Sequence, residues 1–182
     1  FGLIGWECPE GGYHINEDTV YSEISEFRGN EVDENGIGEL ILTGLVNNET
    51  PLIRYEIGDI EETSKNPCSC TTSFKRIKRI LGRKEDVIYN SDNEMVFPSQ
   101  IADIIAPCQS ILFFQLSADN DRFRLKYVPS EEFNENDLML LLDDLRSNLC
   151  LEPIDSVEVN QIPRSQGGKL EIIENNQSIE DI

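Results

Sequence analysis

Three short stretches of this chain carry residue types suited to holding a nucleotide and an acid, and a fourth set is suited to a metal. The run Pro51-Leu52-Ile53-Arg54-Tyr55-Glu56-Ile57-Gly58-Asp59 begins apolar and ends in a Gly-Asp turn. Read as a strand, it delivers Asp59 to a strand end, where Gly58 lets a ligand approach the backbone. A carboxylate there can accept hydrogen bonds from two neighbouring hydroxyls, such as a ribose pair. Gly82-Arg83-Lys84-Glu85-Asp86 follows, and Gly167-Gly168-Lys169 lies near the end. Two glycines before a lysine make an exposed loop that can carry an ammonium into a neighbouring site. Each of these stretches, taken alone, also reads as an ordinary solvated turn. The fourth set is Cys8 and His14, joined by a turn-rich segment, with Cys68 and Cys70 far downstream in a loop. Three thiols and one imidazole can make a tetrahedral structural zinc site with no open position for chemistry. The Cys-x-Cys spacing is tighter than usual. From spacing alone, a metal clip and a pair of loop thiols beside a satisfied histidine are equal readings.

The elements that must position these residues follow from periodicity. Tyr13–Ile15 and Val20–Ile24 read as strands, with Asn16-Glu17-Asp18 as the turn between them. Gly38–Leu45 reads as another, preceded by the turn residues Asp33-Glu34-Asn35-Gly36. Arg76–Leu81 alternates basic and apolar residues, as a half-exposed strand should. After the charged run at 82–86, two short strands flank Ser91-Asp92-Asn93. A helix starts at Pro98 with Ile101, Ile104 and Ile105 on one face, and stops before Pro107. Ile111–Leu116 and Arg122–Val128 form a hairpin about Ala118-Asp119-Asn120-Asp121. Asn136-Asp137 is expected to cap a long helix carrying Leu138, Leu141, Leu142, Leu145 and Leu149. Asp155–Val159 is expected as the last strand, with a frayed acidic tail from Glu171 onward. Cys108 and Cys150 read as core thiols. The fold class is α+β. Residues 1–81 form a β-rich unit, and residues 82–182 a small domain with two helices on one face of a mixed sheet.

With 182 residues, the chain suffices for one ordinary domain or two small ones. Its formal net charge of −20 argues against a nucleic-acid partner, which needs a basic surface. A nucleotide remains compatible, because one or two placed cations and a magnesium ion suffice. No apolar run reaches the length of a membrane span. The five cysteines are an odd number and point to reduced thiols or a metal rather than disulfides, in a cytoplasmic setting. The sequence opens mid-pattern at Phe1 and reads as a piece of a longer protein. Such a piece should expose apolar surface where its neighbour sat, so oligomers are expected.

In order and spacing, Arg54-Tyr55-x-x-Gly58-Asp59, Gly82-Arg83-x-Glu85-Asp86 and Pro163-x-x-x-Gly167-Gly168-Lys169 resemble the C-terminal third of an adenylate-forming enzyme. The branch it resembles holds the phenylacetate–CoA ligase-like and capsule-biosynthesis-type ligases. The resemblance implies a parent enzyme that uses ATP and Mg²⁺ to convert a small carboxylic acid to an acyl-adenylate. Coenzyme A or a carrier phosphopantetheine would then displace AMP to give a thioester. It implies Asp59 on the ribose, Arg83 and Tyr55 beside the nucleotide, Lys169 as the adenylation lysine, and Glu85 at the hinge of a mobile C-terminal lid. The family usually has Asp or Lys where this chain has Glu85, and often Gly in the turn where Asp92 and Asn93 stand. The related ligases carry a similar Cys…His…Cys-x-Cys set, which favours structural zinc on Cys8, His14, Cys68 and Cys70. The phosphate loop, the adenine-binding element and the acid pocket of such enzymes lie outside this chain. The isolated chain is therefore expected to be inactive. The competing reading is a zinc-stabilised binding or assembly module without catalysis.

Overall fold

A computed structural model describes residues 1–28, 36–63, 66–120, 122–164 and 168–177. Two compact units emerge, Phe1–Lys84 and Glu85–Ile182. The first is all β. Its strands are β1 (Gly5–Glu7), β2 (Tyr13–Ile15), β3 (Val20–Ser25), β4 (Ile37–Gly44), β5 (Tyr55–Thr63) and β6 (Arg76–Arg83). They form one antiparallel sheet in the order β1-β2-β6-β5-β4-β3. The sheet wraps a small core of Ile15, Val20, Leu40, Leu42 and Ile77. Period-two alternation puts Leu40 and Leu42 of β4 on this inner face. Glu39 and Ile41, on the other face, are buried as well.

Several local expectations need correction. Pro51–Arg54 is not strand; β5 begins at Tyr55 and runs on through Asp59 to Thr63, so Asp59 lies mid-strand rather than at a strand end. The reason is Gly58 at φ +81°, a conformation open to glycine. It bulges the strand instead of ending it, and the register with β4 and β6 shifts nearby. A separate bulge lies on β6, where Leu81 stands extra between Gly82 and Ile80, and Ile80 is left 44% exposed. A turn does follow β2, but β2 and β3 do not pair: β2 joins β1 and β6, while β3 ends the sheet beyond β4. Of the expected turn at 33–36, residues 33–35 lie outside the described residues.

A single 3-10 turn, Lys84–Asp86, follows β6, and the second unit, from Glu85, continues with the two-stranded pair β7 (Ile88–Tyr89) and β8 (Met95–Val96). Asn93 takes the left-handed conformation in the turn between them, at φ 61°. Helix α1 (Pro98–Ile105) follows, then the hairpin β9 (Ile111–Asp119) and β10 (Arg122–Pro129), helix α2 (Glu135–Leu149), β11 (Ile154–Glu158) and β12 (Ile173–Asn175). The sheet order is β11-β10-β9-β12, with β11 and β12 each parallel to its neighbour. Leu116, Phe123 and Leu125 of the sheet pack with Ile101, Ile105, Leu141 and Leu145 of the helices in one core.

Here too the sequence misplaced details. Ala118 and Asp119 belong to β9 rather than to the turn, and Asp121 lies outside the described residues. The α2 cap is Asn134, whose side chain accepts from Asn136 N–H at 2.9 Å, not Asn136-Asp137. An Asn-rich entry offers several caps, and the one with extended backbone wins. The tail is not frayed at 173–177. Ile173 is buried against β9, Gln177 bonds both backbone groups of Tyr89, and Asn175 donates to Val87 O. Cys108 is half-buried and packs against the core, whereas Cys150, also half-buried, ends α2 in left-handed conformation.

Candidate functional site

Cys8 follows β1, His14 sits inside β2, and Cys68 and Cys70 ride the loop from β5 to β6. The antiparallel register of β1, β2 and β6 folds these distant residues together, so that all four donor atoms lie within 4.8 Å of one another. Cys8 Sγ is 3.5 Å from Cys68 Sγ, and His14 Nε2 is 3.2 Å from Cys70 Sγ. A four-coordinate zinc spaces its sulfur and nitrogen ligands roughly 3.4–3.8 Å apart, from bond lengths of about 2.3 and 2.0 Å. The set could accept such an ion with small adjustments.

The surroundings fix the histidine. Nδ1 lies 3.1 Å from the Phe74 carbonyl, so it carries the proton and donates, and the Nε2 lone pair faces the thiols. The Trp6 ring packs near His14 and Phe74, with centroids 5.9 and 5.8 Å away. Backbone N–H groups of Glu10 and Thr72 point at Cys8 and Cys70 sulfurs, each at 3.4 Å. The Thr72 N–H lowers the Cys70 thiol to about 6, whereas burial pushes Cys8 up. Binding a cation would draw the remaining protons off the thiols.

The second constellation lies at the β5 bulge. Asp59 and Arg83 are Cα partners across β5 and β6, and their side chains form an ion pair at 3.5 Å. The carboxylate is 32% exposed and the guanidinium 49% exposed, so the pair is solvated and weak. Gly58 sits beside this pair at φ +81°, and a Cβ there would meet Arg83 Nη2 at an ordinary contact of 3.4 Å. Tyr55 opens the same strand and is 51% exposed, with its ring 6.2 Å from that of Phe1. Glu85 lies in the 3-10 turn after β6 and begins the second unit. Lys169 is exposed in that unit, after Gly168 at φ +79°, whose carbonyl accepts from Arg164 Nη1 at 2.9 Å. Gly167 lies outside the described residues.

Three contributors escaped the sequence reading. The Phe74 carbonyl orients His14, and a backbone group leaves no residue signature. Lys84 sits inside the quoted charged run, yet its ion pairs with Glu39 (2.7 Å) and Glu56 (3.3 Å) needed the sheet to form. Glu39 is mostly buried, and its hydrogen bond raises the Lys84 pKa. Glu61, which no motif singles out, is 2% exposed.

No protein-family profile matches the chain. It is 29% identical to a phenylacetate-coenzyme A ligase of Thermus thermophilus over 90% of its own length and 43% of that protein's. It is 29% identical to Protein CapK of Staphylococcus aureus, over 93% of its length and 38% of that protein's. The chain thus spans about two fifths of the curated relatives it matches. In fold it is similar to a 2-hydroxyisobutyryl-CoA ligase in the postadenylation state, with TM-score 0.74 at 19% identity, over 91% of this chain and 38% of that one. The O-succinylbenzoate coenzyme A synthetase of Bacillus subtilis in complex with AMP gives TM-score 0.62 at 14% identity, over 84% of this chain and 32% of that one. In sequence along most of its length, and in fold, this chain resembles the C-terminal portion of adenylate-forming enzymes of the phenylacetate–coenzyme A ligase and CapK branch.

Proposed function

We propose that this chain is part of an ATP-dependent acid–thiol ligase, made of the end of its large domain (1–81) and a small lid domain (82–182). The parent would join a carboxylic acid to the α-phosphate of ATP with Mg²⁺ and release pyrophosphate. Coenzyme A or a carrier phosphopantetheine would then take the acyl group and release AMP. The observation that carries this reading is the Asp59–Arg83 pair. A solvent-facing carboxylate and guanidinium, held in register across the bulge, suit a ribose diol and its phosphates. Tyr55 would flank the nucleotide. Lys169 would stabilise the charge that develops as pyrophosphate leaves. Glu85 would act as the hinge of the lid. Similarity to the named ligases supports the ligase reading.

Cys8, His14, Cys68 and Cys70 would hold a structural zinc. With four protein ligands the ion has no open position, so it would tie the β5–β6 loop to the strand after Trp6 and take no part in the reaction. Reduced thiols fit a cytoplasmic protein. On this reading the chain alone is inactive, because the acid pocket and phosphate loop are elsewhere.

The test is acid-dependent pyrophosphate exchange by the longer protein. Lys169→Ala should lower adenylation by about 10²–10³-fold, as loss of a charge-stabilising donor does. Asp59→Asn should weaken ATP binding. Unchanged exchange in both variants refutes the assignment, and so does thioester formation by the chain alone. A zinc-stabilised assembly module without chemistry would give that first outcome with full metal content.

A further inference from the structure

The three sulfurs of the Cys8, His14, Cys68 and Cys70 set differ in what can reach them. Cys70 Sγ is engaged on two sides, by His14 Nε2 at 3.2 Å and by the Thr72 N–H at 3.4 Å. Cys8 Sγ faces Cys68 Sγ at 3.5 Å, about the contact distance of two sulfur atoms. Cys8 itself is 3% exposed. Cys68 and Cys70 are half-buried and line a cleft of about 720 Å³, which Cys8 does not line. A small solute that enters the cleft therefore meets Cys68, with Cys8 in contact behind it.

The same pair spans the fold. Cys8 follows β1 and Cys68 lies 60 residues later, between β5 and β6. A covalent bond between these sulfurs closes the loop that a bound metal would close, whereas a bond between Cys68 and Cys70 closes nothing. To reach bonding distance the sulfurs must approach by roughly 1.5 Å. Cys8 is held at its backbone: its N–H donates to Gly12 O and its carbonyl accepts from Gly11 N–H, each at 2.9 Å. The movement therefore falls to Cys68, whose loop neighbours Asn66, Pro67 and Ser69 are exposed.

We propose that hydrogen peroxide exchanges the metal clip for a Cys8–Cys68 disulfide, so that the first unit keeps its fold when it gives up zinc. The Cys68 thiolate attacks one peroxide oxygen, the O–O bond breaks, and hydroxide leaves, which makes Cys68 a sulfenic acid. The Cys8 thiolate then attacks Cys68 Sγ, the S–O bond breaks, and a second hydroxide leaves. Solvent protonates both hydroxides to water, and the two electrons lost by the sulfur pair are those gained by the peroxide. With two of its four ligands consumed, the set no longer holds a zinc ion. Small thiols of a reducing compartment return the pair to its dithiol form and reopen the site. The inference rests on the zinc reading above and is independent of the ligase reading.

The test oxidises the zinc-loaded 182-residue chain with hydrogen peroxide, quenches it in acid and alkylates the remaining thiols. Release of about one zinc per chain to a chromophoric chelator is expected. A non-reduced digest should contain the Cys8 peptide joined to the Cys68 peptide, and Cys70→Ser should still form that link. The first unit of the oxidised, metal-free chain should melt within about 5 °C of the zinc-loaded one, because the same loop stays closed. The chain stripped by chelator with a reductant present should melt far lower. The peptide map and the melts of the unaltered chain need no variant. A link between Cys68 and Cys70, or a sulfinic Cys68 without any link, overturns the proposal. An oxidised chain that melts as low as the stripped one does so equally. A chain that never takes up zinc overturns the metal reading and the exchange together, whereas a loaded chain without the Cys8–Cys68 link overturns the exchange alone.

Discussion

Removing the metal from the Cys8, His14, Cys68 and Cys70 set should unfold the first unit at a much lower temperature than the second. Cys8 and Cys68 lie 60 residues apart in sequence. Cross-linking a loop of that size stabilises a fold by about 4 kcal/mol in the chain-entropy account. The bond from His14 to Cys70 closes nearly the same loop, so it adds little further entropy. In a unit the size of Phe1–Lys84, about 4 kcal/mol corresponds to a fall in Tm of roughly 15–30 °C. The assay is scanning calorimetry of the zinc-loaded chain with and without a strong chelator, beside a metal count by mass spectrometry. The transition of the second unit, which supplies none of these ligands, serves as the internal control. Since burial holds Cys8 protonated, metal uptake releases its proton, and affinity should rise with pH. A chain that purifies with far less than one zinc and cannot be loaded would refute the reasoning. So would a first transition that stays put on full chelation.

Gly58→Ala should destabilise the first unit by about 1–2 kcal/mol, because φ +81° is strained for any side chain. The check is a lower urea midpoint at unchanged slope. Burial and the nearby Asp59 charge raise Glu61 to about 8, against 4.5 for an ordinary glutamate. Between these values the unfolded chain binds fewer protons than the fold, so the Glu61 contribution makes stability fall as pH rises, then level off above 8. Glu61→Gln should remove a slope of at most about 1.4 kcal/mol per pH unit, read from urea midpoints at pH 5 to 8. An unchanged slope would show that this carboxyl ionises normally. Asn134→Ala should cost the second unit about 1 kcal/mol through loss of the α2 cap, visible in its own melting transition.

The sequence by itself determined the element types and the identity of the reactive groups. Runs such as Arg122–Val128 and the leucine face of α2 announce their structure, because period two and period 3.6 are local properties of the chain. The residue types Cys, His, Asp, Arg and Lys were legible because each permits only certain chemistry. The tertiary structure decided which of them meet. A bulge at Gly58 keeps Asp59 in mid-strand opposite Arg83, and register is a property of two strands rather than one. The β12 strand looked like an acidic tail because its support comes from β9, more than fifty residues away in sequence. Nothing local marks Glu61 as buried, and His14 acquired its tautomer from a carbonyl that the loop after Cys70 brings to it. Burial and orientation arise from contacts between distant segments, and a local pattern cannot encode them.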